Sequence, residues 1–370
     1  MASNRNRELR NSLFVCWRCI GEMSSARPAA VERGGRCATP AVTLCCGASV
    51  GRTGYVGTSA LPATCCKPRA ERPAVATVTW MVTFEEWAAQ GAELEAGGVR
   101  LSVHDEGAGP VVTFVHGYPS SSLDAVPLFD RLRGDGRLVT LDLPGFGASA
   151  KPPEHRYSIH GAADAVEAMW SHLGVTSTVV VAHDYGASVG QELLARRLNE
   201  PGRPAAITGI VWCNGGLWSD LHRQTLGQQL LLDPEHGTDF AAAMDEASLT
   251  TGLQGTWGTR RPMSDAESHG IWRSMEHDGG SKIAHTLLHY VADRLEHGLR
   301  WIGALDASPV PMRFVWGDLD PVSGSHVADR IEALLPDWPA QRALLRLPNV
   351  GHWPPLEAPD EVAAAVRALW

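Results

Sequence analysis

From about residue 97 onward the sequence predicts an α/β protein with an open, mostly parallel sheet, helices on both faces and a late helical insertion. Three observations predict it. Short β-rich runs alternate with amphipathic stretches; several runs are apolar without interruption, as in strands covered on both faces; and residues 217–304 break the alternation with helical patterns alone.

The expected strands are 99–104, 111–115, 138–141, 178–182, 207–213, 312–316 and 343–347. Between them, Val166, Met169, Trp170 and Leu173 fall on one helical stripe that Gly174 should stop, and Val362, Val366 and Leu369 fall on another. The insertion carries Leu226, Leu230 and Leu231, then Ile283, Leu287, Leu288 and Val291, with no convincing strand. This divides the organised part into a core, 81–216 with 305–370, and a helical cap, 217–304, lying over the strand ends as a lid. Ligands of open α/β sheets bind beyond the carboxyl ends of the strands. Function is therefore expected in strand-to-helix loops.

Composition excludes several classes. The 370 residues are 44% hydrophobic and 20% charged, and no run approaches the ~18 apolar residues of a membrane helix. The averages hide a seam. Residues 1–80 hold seven of the eight cysteines and 11 Arg/Lys against 4 Asp/Glu, whereas 81–370 hold 21 against 37. A net charge of −16 on the organised part argues against nucleic-acid binding. The first 80 residues show no sustained period and no secretory h-region. Cys16-x-x-Cys19 could suggest metal, but its later partners Cys45-Cys46 and Cys65-Cys66 are adjacent pairs and no histidine accompanies them. An Arg-rich transit peptide is a weak alternative; the favoured reading is a disordered or non-native extension, with translation starting at Met81. Only Cys213 remains in the organised part, in a strand, so the cysteines give no sign of disulfides, and a cytoplasmic location is expected.

The most informative segment is Thr178-Val-Val-Val-Ala-His183-Asp184-Tyr185-Gly186-Ala187-Ser188-Val189-Gly190. A buried strand runs through a polar pair straight into a helix, the strand–turn–helix of a nucleophile elbow. With Asp184 at the tip, the positions two before and two after are the small Ala182 and Gly186, and the helix start favours an anion there. A literal G-x-S-x-G, Gly186 to Gly190, would instead name Ser188. That choice would carry His183, Asp184 and Tyr185 into the buried strand, so Asp184 is preferred; a plain helix cap is the bland alternative.

An acid and a histidine follow in chain order. Gly317-Asp318-Leu319-Asp320-Pro321 ends a strand and places Asp320 to orient an imidazole, with Asp318 as rival acid; Gly351-His352-Trp353 puts His352 in a loop after the last strand. Earlier, a strand ends at His116-Gly117-Tyr118-Pro119, where the Tyr118 N–H, with that of Tyr185, would form an oxyanion hole. The turn Asp142-Leu-Pro-Gly145-Phe-Gly147 reads as structural, since it has neither Lys nor a G-x-G-x-x-G pattern.

With these residues in place, the chain from about 97 to 365 resembles the α/β-hydrolase superfamily, in the aspartate-nucleophile branch of epoxide hydrolases and haloalkane dehalogenases. It looks most like the mesoderm-specific-transcript-like hydrolases. The bearing segments are His116-Gly-Tyr-Pro-Ser-Ser-Ser, Asp142-Leu-Pro-Gly-Phe-Gly, His183-Asp-Tyr-Gly with Gln191-Glu-Leu-Leu, Asn214-Gly-Gly, Arg300-Trp-Ile-Gly-Ala-Leu and Gly317-Asp-Leu-Asp-Pro. The resemblance implies Asp184 as nucleophile, Asp320 as acid and His352 as base, with no cofactor and no metal.

The departures concern the substrate. Haloalkane dehalogenases commonly have Asn after the His-Gly and Trp after the nucleophile, where this chain has Tyr118 and Tyr185. Epoxide hydrolases use two cap tyrosines, but the insertion holds only Tyr290, with His285 or His289 as possible substitutes. Those histidines, i and i+4, lack the acidic partner of a metal site and read as a helix face or pocket lining. The expected activity is hydrolysis through a covalent alkyl ester on Asp184, epoxide hydrolase-like, with water and a small apolar substrate as partners. His116, Tyr290, Trp218 and Trp272 are expected to line its pocket. A serine esterase using Ser188, a dehalogenase and a non-catalytic binding protein are the alternatives. Oligomeric state is not legible.

Overall fold

In the computed structural model, residues 82–200 and 202–370 are described, and the reading of residues 1–80 and of Met81 lies outside them. The eight strands are β1 (Ala92–Ala96), β2 (Val99–Gly107), β3 (Val111–Val115), β4 (Arg137–Leu141), β5 (Ser177–His183), β6 (Ala206–Cys213), β7 (Met312–Gly317) and β8 (Arg342–Leu347). They form one sheet in the order β1-β2-β4-β3-β5-β6-β7-β8. The pairs β1–β2 and β2–β4 are antiparallel and every other pair is parallel.

All seven expected strands are present. The eighth, β1, has the sequence Ala-Glu-Leu-Glu-Ala and lies exposed at the sheet edge, so it lacks the apolar run and β-branched residues that mark the others. Regular structure also begins earlier than residue 97, with a helix at Phe84–Ala88 held by a Thr83–Glu86 capping box.

Strand alternation divides the core between the two faces of the sheet. On β5 and β6, Val180, Ala182, Ile210 and Trp212 join one apolar cluster, while Val179, Val181, Val211 and Cys213 join the other. The helix Ile159–His172 closes the first face with fully buried Val166, Met169 and Trp170, and Gly174 leaves it at φ 64°. Pro359–Arg367 closes the second with Val362 and Val366; Leu369 lies past its end. Cys213 is buried and free.

Between β6 and β7 the described chain is helical, from Leu226–Leu231 to the long helix Tyr290–Ala307. That last helix lies along the helix Tyr185–Asn199. Buried Glu192 accepts from the Trp301 indole N–H at 2.7 Å and pairs with Arg300 and Arg196. No described helix is long and apolar enough to cross a membrane.

Candidate active site

The tip of the turn after β5 is Asp184, a non-glycine residue at φ 48°, ψ −109°. Such a backbone costs about 1–3 kcal/mol and persists only where its surroundings fix it. Here they do. The Asp184 N–H donates to the Asn214 carbonyl at 3.0 Å, and a side chain at Gly186 would collide with the Val115 carbonyl of the neighbouring strand. The helix begins at Tyr185.

Asp184, His352 and Asp320, which come from the ends of three strands, meet in one buried cluster. His352 Nε2 lies 3.5 Å from Asp184 Oδ1, and its Nδ1 lies 2.8 Å from Asp320 Oδ2. The rival Asp318 turns away to pair with Arg346. Asp184 Oδ2 accepts from the Tyr118 backbone N–H at 2.9 Å. Tyr185, as first residue of its helix, has an N–H with no intrahelical partner.

Charge follows from this packing. Burial disfavours a charged His352, but the Asp320 and Asp184 carboxylates outweigh it and lift its pKa to about 10. Burial likewise opposes ionisation of Asp184, yet the hydrogen bond and charge of His352, then His183 and Arg294, hold it well below the carboxylate range. For Asp320, burial is again outweighed by His352, and its pKa falls to about 2.

Several supports went unread in the sequence. Asn214 was visible only as part of a resemblance; its side chain donates to Asp320 Oδ2 at 2.9 Å and to the Gly317 carbonyl, and accepts from the Gly317 N–H. Ser323 donates to the same Asp320 oxygen at 2.7 Å, and the Val322 N–H donates to the other. Buried Glu357 accepts from the Gly351 and Trp353 N–H groups and shapes the His352 loop. Asp142 accepts from the Ser122 and Ala148 N–H groups, which fits the structural reading of its turn.

Three of the expected pocket residues have other partners in the structure. His116 is fully buried: its Nε2 accepts from the Leu143 N–H, so its proton sits on Nδ1 and is given to the Gly117 carbonyl, leaving neither nitrogen for a ligand. Trp218 is stacked under the Arg330 guanidinium, and Trp272 packs half-buried against the apolar core. Trp257 comes nearer to the histidine loop, lying against the Trp353 ring. Tyr290 does reach the cluster. Its ring meets that of Tyr185, its hydroxyl is buried without a partner, and burial followed by the Asp184 charge raises its pKa. The Tyr118 hydroxyl is also buried and unpartnered, and burial, then Tyr290 and Asp184, raise its pKa too. Ser188 sits inside the helix, fully buried, and its Oγ accepts from Arg294 Nε at 2.7 Å. His285 reaches Thr238.

A mostly parallel sheet, a strained turn at β5 and an acid and a histidine after β7 and β8 define an α/β hydrolase, and a family model described as alpha/beta hydrolase fold matches residues 110–359. The chain belongs to that family and is a hydrolase acting with water on a small-molecule substrate. It is 37% identical to LipZ of Mycobacterium tuberculosis over 263 residues, 70% of this chain and 88% of the relative. It is 32% identical to the human mesoderm-specific transcript homolog protein over 285 residues, 75% and 84% respectively. A haloalkane dehalogenase of Sphingobium indicum is 27% identical over 297 residues, 75% and 93%. Among solved structures, haloalkane dehalogenase DatA from Agrobacterium tumefaciens C58 superposes with a TM-score of 0.61 at 19% identity, covering 76% of this chain and 97% of that one.

Proposed function

We propose that the protein hydrolyses its substrate by attack of Asp184 on carbon, through a covalent alkyl ester, in the manner of an epoxide hydrolase. The observation that carries this reading is the contact of one imidazole with two carboxylates, 3.5 Å to Asp184 at the strained tip and 2.8 Å to Asp320. An ionised carboxylate needs no base to become a nucleophile. Ser188 lacks the imidazole a serine nucleophile requires, because its hydroxyl is occupied by Arg294.

In the first step Asp184 Oδ1 attacks the epoxide carbon and the C–O bond opens. The leaving oxygen takes a proton from the Tyr118 or Tyr290 hydroxyl, which His352 replenishes. Two tyrosines are thus available after all, one from the loop after β3 rather than both from the insertion. Forming the ester removes the Asp184 charge, one of the two that raise the His352 pKa, so the imidazole becomes neutral when a base is needed. His352 then takes a proton from water, the hydroxide attacks the ester carbonyl, and the Tyr118 N–H with that of Tyr185 stabilises the oxyanion. Collapse releases a diol and restores ionised Asp184 and charged His352. The helical insertion, 217–304, serves as the cap over this site.

The test is intact mass spectrometry of His352→Ala after exposure to epoxides, haloalkanes and esters. An alkyl adduct on Asp184 that persists is the expected result, and its mass distinguishes epoxide opening from halide displacement. An acyl adduct on Ser188 overturns the assignment.

A further inference from the structure

Arg294 is a buried charge on the insertion that the proposed chemistry does not use. Its side chain is only 3% exposed, and among the described residues no carboxylate lies within ion-pair distance of it. Of the other buried guanidiniums, Arg196 pairs with Glu192 and Glu167 and Arg261 with Glu267, while Arg342, which also lacks a carboxylate and keeps Nε and Nη1 unpartnered, is held by the carbonyls of Leu305 and Ser308 far from the nucleophile's turn. Arg294 donates to the Ser188 hydroxyl and to His222 Nδ1 at 3.2 Å, and it lies over the Tyr290 ring, 4.5 Å from its guanidinium carbon, close enough for its charge to act on the Tyr290 hydroxyl. Its Nη2 is buried with no partner. Leaving a buried charge uncompensated is costly, and a charged donor in that position has its partner elsewhere.

Proton assignment sharpens this. A guanidinium can only donate, so His222 Nδ1 is the acceptor, and a neutral His222 then carries its proton on Nε2. That Nε2 is also buried and unpartnered, as is the Tyr290 hydroxyl. The cation's own Nη2 and two neighbouring donors thus lack acceptors. Gly216 leaves them room, for a side chain there would strike Arg294 Nη1. The cluster lies beside the nucleophile, since the Arg294 charge acts on Asp184 and His222 feels Asp184, His352 and Asp320. With His352 charged, Asp184, Asp320, His352 and Arg294 sum to zero, so an arriving anion meets no net repulsion.

We propose that Arg294 Nη2, His222 Nε2 and the Tyr290 hydroxyl form a subsite for a carboxylate carried by the substrate, making the substrate an organic acid with its electrophilic carbon close to the acid group. A carboxylate offers two oxygens, and donors with none of their own acceptors are its complement. The subsite rests on the reading above only in taking the surroundings of Asp184 as the substrate site. It is read by equilibrium binding, so its failure leaves the adduct experiment intact.

The experiment compares butanoate, butanamide and bromide binding to the full chain by calorimetry, for wild type, Arg294→Met and His222→Leu. Butanoate should bind wild type about tenfold or more tighter than butanamide, and Arg294→Met should erase that preference while leaving butanamide binding unchanged. His222→Leu, which keeps the buried charge, should reduce the preference about threefold and carries the test if Arg294→Met fails to fold. Equal binding of acid and amide by wild type overturns the proposal, as does a preference that survives the loss of Arg294 or, where Arg294→Met does not fold, one that the loss of His222 leaves undiminished. Bromide binding tighter than butanoate overturns it too, by marking the cluster as a cradle for a departing anion.

Discussion

The two sides of the site are finished to different degrees. On the core side, Asp320 receives His352, Asn214, Ser323 and the Val322 N–H, and the His352 loop is pinned by Glu357. On the insertion side, Arg294 Nη2, His222 Nε2 and the Tyr290 hydroxyl have no partner, and the Tyr118 hydroxyl across from them is likewise free. Buried polar atoms are normally paired, and the core keeps exceptions of its own in the Tyr118 hydroxyl and His183 Nδ1, so the contrast is between the well-held Asp320–His352 pair and the open donors around it. Under the proposed function, the core would preorganise the chemistry and the insertion would set selectivity.

The largest test of the finished side is Asp184→Asn. Turnover should fall by about 10⁴-fold, with burst and adduct formation gone. The same variant has a second reading in stability. The His352 pKa in the fold, about 10, lies above its ordinary 6.5, so its contribution is full below pH 6.5 and is lost as pH rises through 10. Without the Asp184 charge the folded value drops, and melting temperatures between pH 7 and 10 should complete their alkaline decline at a lower pH than in wild type. An unchanged profile would mean that Asp184 and His352 are not coupled.

A smaller effect is expected from Asn214→Ala. Removing this buried side chain leaves Asp320 and Gly317 short of partners, costing about 1–3 kcal/mol in urea unfolding. kcat should fall while KM holds, because the imidazole is less well oriented and the insertion side is untouched; a change confined to KM would blur the division between the sides. Ser188→Ala should do least. Activity should stay within about threefold of wild type and stability should drop by about 1 kcal/mol, as Arg294 Nε loses an acceptor. Abolished activity would return the serine to the nucleophile's place.

The sequence is most legible where strands carry both the pattern and the chemistry. β5, β7 and β8 announce themselves by apolar runs, and Asp184, Asp320 and His352 stand just past their ends. β1 was hidden because an edge strand of Ala and Glu has no buried face to advertise. Arg294 was hidden for a related reason: within Tyr290–Ala307 it reads as one more polar residue of an amphipathic helix, and only packing on Tyr290, its i−4 neighbour, takes it out of water. His116 misled in the opposite direction. A histidine at the end of a strand looks like a ligand group, and nothing in the sequence says that two backbone groups already occupy it.

The insertion also reaches the segment that carries His352. The His352 N–H donates to the Thr256 carbonyl, the Gly258 N–H donates to Glu357, and the Thr259 and Arg260 N–H groups both donate to the Asn349 carbonyl. Apart from the Glu357 carboxylate these are main-chain joints, and the Thr256 hydroxyl and Arg260 add side-chain bonds to the Trp353 indole N–H and to Glu361. Residues 256–260 and 349–357 therefore form a single inheritable unit. A chimera that transplants the insertion of a relative onto this core while keeping the native 349–357 splits that unit, and carrying both segments across together preserves it.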